Sequence, residues 1–66
     1  MKIIVNGIPE ELEKPFSIAD YLKYKEIETI LVVIELNFKT YPKEEWNQLK
    51  LEDGDNLEII KIVGGG

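Results

Sequence analysis

The chain has 66 residues, thirteen acidic against eight basic (all lysine), a net charge of −5, and neither cysteine nor histidine. That composition excludes disulfides, thiol nucleophiles and the usual zinc ligands, and it removes the commonest general base at neutral pH. The lack of arginine argues against nucleic-acid binding, no apolar run approaches the roughly 20 residues of a membrane span, and no cleavable leader is visible. One small cytoplasmic domain is expected. Carboxylates are plentiful, but a domain that buries only about 60% of its unfolded surface has little room for a pocket that would tune them, so no enzyme activity of its own is expected.

MKIIVNG opens with strand-forming residues and stops at Asn6-Gly7, a strong hairpin-turn signal. Met1, Ile3 and Val5 share one face of that strand, and Lys2 and Ile4 the other. IPEELEK follows as a weak second strand with Leu12 as its main inward residue, and Pro9 and Pro15 confine it to a sheet edge. FSIADYLKYKEI is the one convincing helix. Ser17 is its N-cap, Asp20 favours the positive helix end, and Ile18, Tyr21 and Leu22 form a short buried stripe whose end Lys25 covers.

ETILVVIELN carries the strongest strand signal, with an apolar run from Ile30 to Ile34. Glu35 breaks one parity, so Val32, Ile34 and Leu36 are the inward set. In FKTYPKEEWNQL, Pro42 and the charges after it predict a loop with one helical turn, and Trp46 drops an indole onto the core. Leu49 and Leu51 form a short strand or its approach. EDGDN is a tight turn with Gly54 as the positive-φ residue. LEIIKIV is the last strand. The order is strand, strand, helix, strand, short strand, strand, and one helix covers only one sheet face. With Leu57 and Ile59 turned to the helix, Ile60 and Ile62 face away, on the same side as Ile4 and Val33. These four aliphatic residues form a candidate interaction patch.

The chain ends in Gly64, Gly65 and Gly66, which have no side chain to pack. The domain is expected over residues 1–63, with residues 64–66 as a flexible tail. From Val63 onward, four residues reach at most about 14 Å. Such a tail can enter a narrow cleft while the body docks outside. Its carboxylate becomes an acylating group once activated, for example as an adenylate, and a side chain on the last residue would crowd that reaction. The pattern suits a protein that is itself a substrate.

MKIIVNG, SIADYL, VVIELN, YPKEEW, LEDGD and the terminal LEIIKIVGGG together resemble the ThiS family, the sulfur carriers of thiamine biosynthesis, over the whole chain. The resemblance implies an α+β, ubiquitin-like β-grasp fold: a mixed sheet with the first and last strands parallel at its centre and the helix across one face. It implies a cycle in which a ThiF-type adenylyltransferase uses ATP to adenylate the Gly66 carboxylate. A persulfide enzyme supplies sulfur to make a Gly66 thiocarboxylate, and thiazole synthase, ThiG, accepts that sulfur. The chain itself would bind no cofactor. Gly64 and Gly65 would thread the partner clefts, with Ile60, Ile62 and Val63 on the adjoining docking surface. Three positions depart from the family pattern: Phe38 where glycine is common, which predicts a wider turn, Lys43 in place of arginine, and Tyr41 in place of an aliphatic residue. Other β-grasp carriers, such as the small subunit of molybdopterin synthase or a carrier for tRNA thiolation, share the fold and the chemistry. A non-catalytic binding module is the alternative of a different class.

Overall fold

The structure, a computed structural model, is described over residues 1–62. The expectations for Val63, Gly64, Gly65 and Gly66, and for the boundary between domain and tail, lie outside the described residues. Strands β1 (Lys2–Val5) and β2 (Ile8–Glu11) precede helix α1 (Ile18–Tyr24); β3 (Val32–Leu36), β4 (Lys39–Thr40), a 3-10 turn (Lys43–Glu45) and β5 (Asn56–Lys61) follow. The five strands lie in the order β2-β1-β5-β3-β4. β1 and β5 pair in parallel, through Ile4 with Asn56 and Val5 with Leu57, and the other neighbours are antiparallel. This is the expected mixed sheet, with first and last strands at its centre and β2 at an edge.

Asn6 and Gly7 take φ of 50° and 80°, the two positive values that close a two-residue hairpin. A second such hairpin joins β3 to β4. Leu36 pairs with Lys39, and the two residues between, Asn37 and Phe38, take φ of 52° and 69°. The expected widening at Phe38 is therefore corrected: the turn keeps its minimum length and Phe38 is held in the left-handed region. The short strand is also displaced. It lies at Lys39–Thr40, whereas Leu49–Leu51 makes only an isolated bridge, Lys50 with Ser17. The apolar run of the third strand enters the ladder late, because β3 begins at Val32 and leaves Ile30 and Leu31 exposed.

The core is one cluster under the helix. Ile18, Tyr21 and Leu22 from α1 meet Ile3, Val32, Ile34, Leu36 and Leu57 from the sheet, and Leu12, Trp46 and Leu51 close its margins. Met1, on the parity of Ile3, is exposed at the chain end. The helix start is fully served. Ser17 Oγ accepts the Asp20 N–H at 3.0 Å, and the Ile18 and Ala19 N–H groups donate to the carbonyls of Leu49 (2.8 Å) and Trp46 (3.2 Å). The segment after the 3-10 turn thus caps α1 instead of adding a strand, which is the physical reason Leu49 and Leu51 leave the sheet. Trp46 is buried as a plug, its Nε1–H donating to the Tyr41 carbonyl at 3.0 Å. At the other end, Glu26 at φ 57° lets Glu26 and Ile27 donate to the carbonyls of Lys23 (3.1 Å) and Leu22 (2.9 Å). That pattern is a Schellman stop with glutamate in the place glycine usually takes.

Candidate functional site

The face of the sheet opposite α1 follows from the register. Val33 lies directly across from Ile60, Glu35 from Glu58, and Ile4 from both Asn56 and Pro9. Ile62 donates its N–H to the Leu31 carbonyl at 2.8 Å, so the ladder runs one step beyond β3 and sets Leu31 across from Ile62. Ile60, Ile62 and Leu31 are exposed at 43%, 49% and 54%, and Val33 is half-buried. These four make one aliphatic patch at the end of the sheet from which β5 leads into the last four residues.

Of the residues singled out from sequence, Val33, Ile60 and Ile62 come together. Ile4 is exposed on the same face but stands apart, one row beyond the Glu35–Glu58 pair. Leu31 was missed. Its parity matches Val33 within the same apolar run, and that was the available signal. Val63, Gly64, Gly65 and Gly66 lie outside the described residues.

Two carboxylates face each other across neighbouring antiparallel strands beside this patch, an arrangement that destabilises a sheet. A cationic partner side chain set between Glu35 and Glu58 would relieve the repulsion. On the opposite side, beneath the end of α1, a groove of about 570 Å³ is walled by Val5, Ile8, Ile27, Val32 and Ile59. At its rim Tyr21 donates from its hydroxyl to Glu10 at 2.8 Å, and Lys25 meets the other Glu10 oxygen at 3.3 Å. Burial first, then the Glu10 carboxylate, push the Tyr21 phenol well above the ordinary value of 10.0. Among the described residues no group of acidic side chains is placed to hold a metal ion, and no helix is long and apolar enough to cross a membrane.

Residues 3–66 match the model of the ThiS family. The chain belongs to that family. ThiS proteins are sulfur carriers of thiamine biosynthesis, and the chain is a carrier of this kind, not a catalyst. It is 36% identical over 50 residues to the sulfur carrier protein ThiS of Bacillus subtilis, covering 76% of each chain. It is 30% identical over 66 residues to a thiazole synthase of Paramagnetospirillum magneticum, where all of this chain corresponds to 20% of that protein. Its fold is similar to the crystal structure of the thiamine biosynthesis protein ThiS from Geobacter metallireducens, with a TM-score of 0.87, 26% identity and full coverage of both chains. The β-grasp assignment follows from that likeness and from the sheet order. The ThiS match runs through Gly66, so it covers the three terminal glycines of this chain as well as the sheet that precedes them.

Proposed function

We propose that the Gly66 carboxylate is the carrier group and that a ThiF-type adenylyltransferase activates it. A carboxylate oxygen attacks the α-phosphate of ATP, pyrophosphate leaves, and a mixed anhydride with AMP remains. The terminal sulfur of an enzyme persulfide then attacks the acyl carbon and AMP leaves. A thiol cleaves the resulting S–S bond to free the thiocarboxylate. Thiazole synthase accepts that sulfur. Gly64 and Gly65 thread the clefts of both enzymes, ATP belongs to the activating enzyme, and the cycle runs in the cytoplasm.

The observation that carries this reading is the family match extending to the last residue. A thiazole synthase relative in which the equivalent of this chain makes up a fifth of the length supports the choice of acceptor. The patch of Leu31, Val33, Ile60 and Ile62 at the C-terminal end of β5 supports docking on that side, with Ile4 as an outlying contact.

Intact-protein mass spectrometry tests the proposal after incubation with ATP, the activating enzyme and a persulfide source. Exchange of one oxygen for sulfur adds nearly the mass of an oxidised methionine, so fragmentation must place the change. An ATP-dependent shift on Gly66 is expected. No shift, with the enzyme active on another carrier, would overturn it.

A further inference from the structure

β5 is two residues longer than β1, and this leaves part of its backbone without a neighbour. β5 pairs with β1 only at Asn56 and Leu57, yet it pairs with β3 from Leu57 through Lys61. Alternation decides where each peptide group points. Asn56 and Ile62 bond toward the β3 side, through Asn37 and Leu31, so the residues of opposite parity, Leu57, Ile59 and Lys61, bond toward β1. Leu57 finds β1 there, its carbonyl accepting the Asn6 N–H at 2.9 Å. At Asn6 the chain turns away, and the Asn6 side chain alone continues the ladder, its Oδ1 accepting the Ile59 N–H at 2.7 Å. Beyond that point β1 offers no further pairing, so among the described residues the register leaves the Ile59 carbonyl and the Lys61 N–H without a strand partner on that side. A Cβ built on Gly7, at the turn below, would meet nothing within 4 Å.

We propose that this overhang is a strand-addition site, filled by an extended segment of the adenylyltransferase that activates the chain end. The acceptor at Ile59 and the donor at Lys61 offer main-chain chemistry two residues apart, the spacing an added strand requires. The same chemistry continues in sequence. Gly64, Gly65 and Gly66 have no side chains, so a partner can recognise them only through peptide groups. A strand laid against Lys61 meets β5 just before the glycines in sequence, while Ile60 and Ile62 on the outer face offer it apolar contact. A second copy of this chain fits less well. The register that pairs the open Lys61 donor with its own copy sets lysine against lysine, and each copy carries a net charge of −5. The identity of the partner rests on the carrier reading above.

The test compares the full chain with its K61P and K61A variants for binding to the activating enzyme, and follows exchange of the Lys61 amide hydrogen in the free and bound wild-type chain. Proline removes the donor at an edge position where the ladder to β3 does not use it; alanine removes the charge and keeps the donor. The expected results are binding about tenfold weaker for K61P, at most threefold weaker for K61A, and Lys61 exchange slowed at least tenfold in the complex. Should K61P melt early, the exchange measurement on the wild-type chain decides alone. Binding with the Lys61 amide still exposed, or K61P equal to K61A with its fold intact, overturns strand addition and leaves the carrier reading standing. Dimerisation through this edge overturns it as well. A wild-type chain that the enzyme neither binds nor activates overturns both.

Discussion

Tyr21 shows how one polar group is kept in a core this small. Its ring is 1% exposed, yet its hydroxyl reaches Glu10, whose other oxygen is held by Lys25. Burial and the nearby carboxylate both favour the neutral phenol, so its folded pKa lies above its unfolded one. The native state then holds a proton that the unfolded chain releases once pH passes about 10, so the contribution of Tyr21 to stability is constant below that pH and falls above it. Y21F is expected to lose about 1 kcal/mol at neutral pH through the lost hydrogen bond and to show a shallower alkaline decline. Urea unfolding at several pH values measures both. Phe38 is the converse case, 81% exposed and at φ 69°. Glycine holds that backbone without the steric cost of a Cβ, offset in part by its greater freedom when unfolded. F38G is expected to gain about 0.5–1 kcal/mol, read as a higher denaturation midpoint.

Among the elements, the two central ladders carry unequal loads, and the weaker points are visible in the register. Glu35 and Glu58 sit directly opposite each other on the outer face. E58K turns that repulsion into attraction and is expected to stabilise the fold by about 0.2–1 kcal/mol, as shown by thermal melting. The same variant is expected to weaken docking to any partner that sets a cation between the two carboxylates. Much of this layer was legible beforehand. Asn6-Gly7, Ser17 and Gly54 each have a backbone need that their residue type announces, and parity within β3 and β5 put Val33, Ile60 and Ile62 on one face. A turn was expected after the third strand, but the two-residue length of the Asn37-Phe38 hairpin was hidden because phenylalanine occupies the place where glycine signals it. Leu49 and Leu51 read as a strand because a cap for α1 has no periodicity of its own. The start of β3 at Val32 and the overhang of β5 depend on partner-strand lengths and register, which local patterning does not specify.

At the scale of the whole molecule, one helix on one sheet face leaves the other face uncovered among the described residues, and the aliphatic patch lies on that face at the end where β5 finishes. I60D is expected to cost little stability, because Ile60 is 43% exposed, and to weaken association with the activating enzyme at least tenfold. Titration with folded-state spectra recorded in parallel separates the two effects. The parallel pairing of Ile4 with Asn56 has a consequence of another kind. The central pair joins strands far apart in sequence, so it cannot form until both β1 and β5 are available, and its loop closure comes late. A chain truncated at either end therefore lacks the middle strand pair, whatever local turns and helix it forms. The surface proposed for docking lies on β3 and β5, yet β5 is fixed between two neighbours only when β1 has joined it: a chain without its first strand keeps the residues of that surface and loses part of the frame that holds them.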